Sequence, residues 1–218
     1  MEKLFEINNV SFGYTNEMIL DKVSFAICKG DFVGLIGGNG SGKTTLLKLL
    51  LGQLKPTSGE IKKANNLKIG YVEQVTISSD RSFPASVQEI VLLGLYKKIG
   101  LFRFAKASHK KLVSSALKTV GLEGFEKKQI NLLSGGQQQK VLIAKTFIEN
   151  PDILILDEPT TGIDKESEQD FFKLLEHLNK EHKKTILIVT HSIEKVLNTN
   201  IIYRVENKTL KVEEHAKI

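Results

Sequence analysis

The spacing of hydrophobic residues changes repeatedly along the chain. Val23, Phe25 and Ile27 alternate with Ser24, Ala26 and Cys28, the period of two expected of a half-buried strand, and the first thirty residues together read as strands. Phe32 to Ile36 is a short apolar run between glycines and predicts a buried strand. Lys43 to Leu51 (KTTLLKLLL) predicts a helix, stopped by Gly52 and soon after by Pro56. Leu67 to Val72 predicts another strand. From about Val75 to Leu133 the strand signals disappear. Ser86 and Glu89 form a capping pair ahead of VLLGL, and a second helix is expected from Ala105 to Val120 with Leu112, Ala116, Leu117 and Val120 on one face. Alternation then returns: strand at Asp152 to Leu156, helix at Glu166 to His182, strand at Thr185 to Thr190, short helix at Ser192 to Asn198. A terminal hairpin is expected from Ile201 to Val205 and Leu210 to Val212 around Asn207-Lys208. Strands alternating with helices imply a mostly parallel sheet covered by helices, here with a helical insert.

Composition narrows the class. With 218 residues, 41% hydrophobic and 26% charged, the chain is an ordinary globular domain and not collagen-like, disordered or a disulfide scaffold. A chain of this size hides about 70% of its unfolded surface, enough for a sizeable core. The single cysteine, Cys28, has no internal partner, which favours a reducing compartment, and it reads as a small buried hydrophobe. Runs such as Ile153 to Leu156 and Ile186 to Val189 are far short of the ~18 residues of a membrane span. The N-terminus has no basic flank and no apolar stretch of a signal peptide, so a cytoplasmic chain is expected. The excess of 31 basic over 25 acidic residues suits phosphate ligands or an anionic surface. The lysines are scattered with no stripe, so no nucleic acid partner is expected. His109, His177, His182 and His215 are also scattered and read as solvated surface.

The chemistry concentrates in three segments. Gly37-Gly38-Asn39-Gly40-Ser41-Gly42-Lys43-Thr44, continuing into Thr45, fits the pattern G-x-x-x-x-G-K-[ST] between a strand and a helix. Glycines let backbone N–H groups approach phosphate oxygens, and the helix N-terminus adds a favourable dipole. Lys43 is positioned to reach β- and γ-phosphates and Thr44 to hold Mg²⁺. The second segment is Ile153 to Leu156 followed by Asp157-Glu158: a strand buried on both faces whose C-terminal end carries two carboxylates, where open α/β sheets bind ligands. Asp157 suits a direct or water-mediated Mg²⁺ contact and Glu158 a base that polarises water. The third is Leu133-Ser134-Gly135-Gly136-Gln137. Ser134 and Gln137 are accounted for by helix capping, but two adjacent glycines are not, and they leave amides open for an anion.

GGNGSGKT, LSGGQ and ILILDEP, in this order, resemble the nucleotide-binding subunit of ATP-binding-cassette (ABC) transporters. The resemblance implies a P-loop NTPase (RecA-like) core with a mostly parallel sheet, an N-terminal antiparallel β subdomain and an inserted α-helical subdomain. It implies one domain over 1–218, with about 1–74 and 134–218 as catalytic core and about 75–133 as helical subdomain. On this resemblance Tyr14 matches the aromatic residue that stacks on adenine. Gln74 matches the glutamine that joins core to insert and senses Mg²⁺ and water. Asp164 matches the loop that crosses to the partner, and His191 the histidine at the γ-phosphate. Gly38 and Glu73 stand where proline is common, and Lys140 replaces a frequent arginine.

The resemblance further implies ATP and Mg²⁺ as cofactors, and a head-to-tail dimer. Each ATP would lie between the Lys43 loop of one copy and Ser134 to Gln137 of the other. The other implied partners are a multi-span membrane permease and, indirectly, a solute-binding protein, with the chain peripheral on the inner face of the cell membrane. FPASVQEIVLLG and LSGGQQQKVLIAKTFIENPDILILDEPTTGID resemble ATPases of bacterial zinc/manganese importers. Importers of chelated iron or vitamin B12, and ABC ATPases of iron–sulfur assembly or DNA repair, are the alternatives.

Overall fold

The computed structural model describes residues 1–15, 17–73, 85–100 and 104–213. Its strands are β1 (Lys3–Tyr14), β2 (Glu17–Cys28), β3 (Phe32–Ile36), β4 (Ser58–Lys63), β5 (Ile69–Val72), β6 (Ile153–Asp157), β7 (Thr185–Thr190), β8 (Ile201–Glu206) and β9 (Thr209–Glu213). Its helices are α1 (Lys43–Leu51), α2 (Val87–Leu92), α3 (Tyr96–Ile99), α4 (Ala107–Thr119), α5 (Gly135–Phe147) and α6 (Lys165–Lys180). Every residue of β3, β6 and β7 is buried. They are the middle of a six-stranded sheet in the order β5-β6-β7-β3-β8-β9, parallel except for the terminal β8–β9 hairpin. β2, β1 and β4 form a separate antiparallel sheet.

Period-two alternation in the buried strands feeds a core on each face. Leu154, Leu156, Ile186, Ile188, Phe32 and Ile36 join one cluster, with Phe171 and Leu175 of α6 and Val141 and Ala144 of α5. Ile153, Ile155, Leu187, Val189, Val33 and Leu35 join the other, with Leu46 and Leu50 of α1 and Phe5 and Ile27 of the antiparallel sheet. The insert belongs to the first cluster: Val87, Val91, Val113 and Leu117 pack with α5. The apolar core is thus continuous across the point near residue 134 where the sequence suggested a boundary.

Several local expectations are corrected. In α4 the buried residues are Val113, Ala116 and Leu117, followed by Val120, while Leu112 is 45% exposed. The set 113, 116, 117, 120 has the i, i+3, i+4, i+7 spacing of one helix face, and Leu112 falls outside it. The short helix after His191 is one 3₁₀ turn, Ile193–Val196, closed when Thr199 Oγ1 donates to the Val196 carbonyl at 2.7 Å. Cys28 is half-buried rather than buried, because it ends β2, where its N–H bonds Asp31 Oδ2 at 2.7 Å. His177 and His182 are not scattered: the chain turns back after α6 and their rings meet edge-on, centroids 5.3 Å apart. His109 accepts the Lys106 N–H at 3.1 Å, and His215 lies outside the described residues. Among the described residues no group of three His, Cys, Asp or Glu could hold a metal, and no helix is long and apolar enough to cross a membrane.

Candidate functional site

Parallel strands end on one edge of the sheet, and here that edge carries the candidate chemistry. β3 ends at Ile36 and opens into Gly37–Gly42. β6 ends in Asp157 and is followed by Glu158. β7 ends in Thr190 and is followed by His191, and β5 leads into Glu73. The register places Ile36 against Thr190, and Asp157 against Val189.

The loop before α1 is shaped by its own lysine. Gly42 caps α1 at φ 104°, a conformation that suits glycine, and a side chain there would crowd Ile19 and Leu20 at 3.1 Å. Lys43 is 8% exposed. Its Nζ donates to the carbonyls of Gly37 at 2.8 Å and Gly38 at 2.9 Å. Burial holds the ammonium below its ordinary pKa, opposed by the carboxylates of Glu158 and Asp157. Ser41 Oγ is buried and has no hydrogen-bond partner among the described residues. Gly40 to Thr45 and Ile19 border a concavity of about 150 Å³. Thr44 is exposed and also borders a neighbouring pocket of about 290 Å³, together with Asp157, Tyr71, Glu73 and Gln53.

The two carboxylates differ in environment. Burial raises the Asp157 pKa, with the Glu158 charge adding to it and Lys43 opposing. Tyr71 is itself pushed up to about 12 by burial and by the nearby carboxylates of Asp157 and Glu73. Glu158 sits at φ 45°, unusual for a residue with a side chain, with its N–H bonded to the Val189 carbonyl at 2.9 Å. Its Oε1 is 2.8 Å from His191 Nδ1, and its Oε2 accepts from Thr190 Oγ1 at 3.2 Å. Lys43, Asp157, Glu158 and His191, candidates far apart in sequence, thus share one electrostatic neighbourhood.

The remaining candidates lie elsewhere or outside the description. Tyr14, 46% exposed, meets Phe12 edge-on at 5.0 Å near the end of β1. Ser134 and Gln137 form the reciprocal capping box of α5, as Ser86 and Glu89 do for α2. Among the described residues none of the hydrogen bonds of Ser134 to Gln137 reaches the Lys43 loop. Of its glycines, Gly136 has a packing reason that the sequence did not reveal: a Cβ there would lie 2.6 Å from Ser167 Cβ on α6. Gly135 is exposed. Asp164 caps α6 by accepting the Ser167 N–H at 2.9 Å, which lowers its pKa. Gln74 lies outside the described residues. Tyr71 and Thr190 escaped the sequence reading. Their local signal is position: each stands on a strand near its C-terminal end, Thr190 next to His191 and Tyr71 three residues before Gln74.

Compared with known proteins, residues 20–161 match the family model described as ABC transporter. The chain is 45% identical over 201 residues to the zinc uptake system ATP-binding protein ZurA of Listeria monocytogenes, covering 88% of this chain and 78% of that one. It is 39% identical over 195 residues to the manganese transport system ATP-binding protein MntB of Bacillus subtilis, covering 87% and 77%. Among solved structures, one assigned to a metal-chelate type ABC transporter in an inward-facing conformation superposes with a TM-score of 0.88 at 32% identity, covering 98% of this chain and 84% of that one. The dimeric ATP-binding cassette MJ0796, in a post-hydrolysis state bound to ADP and Pi, superposes with a TM-score of 0.76 at 31% identity, covering 96% and 98%.

Proposed function

The chain belongs to the ABC transporter family and is an ATPase, and from that premise we propose that it powers import of zinc or manganese as a head-to-tail pair of copies beneath a separate membrane permease. The metal assignment is supported by relatives named for zinc uptake and manganese transport at 45% and 39% identity. The dimer is supported by the likeness to a dimeric cassette. The cargo passes through the permease, which a solute-binding protein supplies, and this chain sits peripherally on the inner face of the membrane.

The observation that carries the chemical reading is the Glu158–His191 contact of 2.8 Å beside the buried Lys43. Lys43 exchanges two neutral carbonyl acceptors for β- and γ-phosphate oxygens, and Gly37 to Thr45 supply amides and hydroxyls, Ser41 Oγ among them. Tyr14 stacks on the adenine. Glu158 accepts the proton of the attacking water, with its carboxylate oriented by Thr190 and His191, and His191 also meets the γ-phosphate. Ser134, Gly135, Gly136 and Gln137 of the second copy close over the nucleotide, with Asp164 at the crossing between copies. Catalysis is then positioning and charge stabilisation of an in-line phosphoryl transfer.

The residues suit a divalent cation. Asp157 is a desolvated carboxylate whose ionised form Lys43 only partly supports and a further positive charge would favour, and the exposed Thr44 borders the same pocket. Thr44, Asp157 and Gln74 would hold Mg²⁺, which when bound neutralises charge on the phosphate oxygens.

Import of a metal chelate is a second reading, supported by the structural likeness at a TM-score of 0.88. Growth of a deletion strain in chelator-treated medium separates the two. Zinc or manganese at raised concentration should restore growth, and restoration only by an iron chelate or by vitamin B12 would replace the first reading with the second.

A further inference from the structure

Beside the site lies a second polar cluster that the reading above does not use. Lys195 Nζ is 2.7 Å from Glu168 Oε1 and donates to Thr160 Oγ1 at 2.9 Å. Thr160 Oγ1 donates in turn to the same Glu168 oxygen at 2.5 Å. Thr160 is 4% exposed, and the Lys195 and Glu168 side chains are 21% and 23% exposed. Among the described residues this is the least exposed lysine or arginine pair with a carboxylate, whereas most of the others stand in solvent. Partial desolvation makes such a pair costly to break from one side, because the remaining charge is left without its partner.

Its position in the chain gives the cluster a use. Thr160 is two residues beyond Glu158, and Lys195 is four beyond His191. Glu168 stands on the first turn of α6, a rigid element whose Phe171 and Leu175 are fully buried. Val196, next to Lys195, is wedged against the backbone of β3, where a Cβ on Gly34 would meet it at 2.7 Å. Two separate loops are therefore tied to one helix just past the residues whose side chains meet at 2.8 Å. Glu158 holds a left-handed backbone at φ 45°, which persists only when its surroundings determine it.

We infer that Lys195, Glu168 and Thr160 are positioning residues: they clamp the loop after β6 to the loop after β7 and thereby set the Glu158–His191 geometry. The inference rests on the assignment of Glu158 as the base. None of the three lines the pockets around Lys43 and Thr44 assigned to the nucleotide, so ATP binding should not depend on them, whereas the rate should. Burial works against the ionised Glu168, yet Lys195 and Thr160 hold its carboxyl below its ordinary pKa, in keeping with a formed clamp.

The test compares ATP turnover of the full chain as Lys195→Met, Lys195→Arg, Glu168→Gln and Glu158→Gln in one assay. Misplacement of a reacting group by about 1 Å costs up to about 100-fold. Lys195→Met and Glu168→Gln should therefore each lower kcat about 10- to 100-fold with KM for ATP within about twofold of the parent, and Lys195→Arg should recover most of the rate. Glu168→Gln keeps the side-chain shape and an acceptor for Thr160, so it answers the question even if Lys195→Met folds poorly. Parental kcat in both charge-removing variants, or a loss that appears in KM alone, overturns the clamp. If Glu158→Gln itself turns over at the parental rate, the base assignment fails, and that outcome is read directly in its own variant.

Discussion

Glu158→Gln should lose ATP turnover by about 10²- to 10⁴-fold, the range supplied by a positioned general base, and should still bind ATP. Glutamine preserves the length of the side chain and an oxygen to accept from Thr190 Oγ1, now at 3.2 Å. What it cannot do is take a proton from water. The groups assigned to hold nucleotide, from Gly37 to Thr45, belong to a different loop and are unaltered. A ligand at 100 times its Kd stabilises a protein by about 2.7 kcal/mol. A thermal melt with ATP therefore checks that the variant still binds, and phosphate release checks that it does not turn over. Near-parental turnover would remove Glu158 from its role.

Lys43→Ala should have the opposite signature, a loss of binding. Hydrogen bonds to charged groups contribute about 1.5–3 kcal/mol, so affinity for ATP should fall about 10- to 100-fold. An ATP concentration that stabilises the parent by about 2.7 kcal/mol would then stabilise the variant by about 0.4–1.4 kcal/mol. Without nucleotide, the melting temperature should move little. The variant loses two bonds to the Gly37 and Gly38 carbonyls but is relieved of an ammonium that burial disfavours. Isothermal titration with ATP reads the affinity directly, and parental affinity would contradict the account.

The parts of the fold legible in the sequence are those whose signal is local. The glycine-rich turn between β3 and α1 announces itself by composition. The capping boxes at Ser86 and Ser134 need only residues three apart, and both form. β6 and β7 stand out because strands buried on both faces read as continuous apolar runs. β4 carries no such signal: of SGEIKK only Ile61 is even partly buried, and the strand is held by backbone pairing with β1. The strand order around β3 is also silent, since it joins β7 and β8 to a strand about 150 residues earlier. The candidate site divides in the same way. Lys43 and Asp157 sit inside recognisable runs. Thr190 on Glu158 and Lys195 on Thr160 meet across 32 and 35 residues, and no periodicity encodes such contacts. The glycine pair after Ser134 was ambiguous for a physical reason: Gly136 is demanded by the approach of α6, while Gly135 is exposed and free to face a ligand.

The central claim is that each ATP is held between two copies of the chain. Sedimentation of Glu158→Gln with saturating ATP tests it most directly, alone and with Ser134→Arg added. Ser134 is exposed at the start of α5, so the arginine leaves the core intact and costs about 1 kcal/mol as a lost cap. The account predicts that Glu158→Gln sediments as a dimer with two ATP bound, and that the double variant binds ATP as a monomer. A monomer at saturating ATP, or a dimer indifferent to Ser134→Arg, would contradict it.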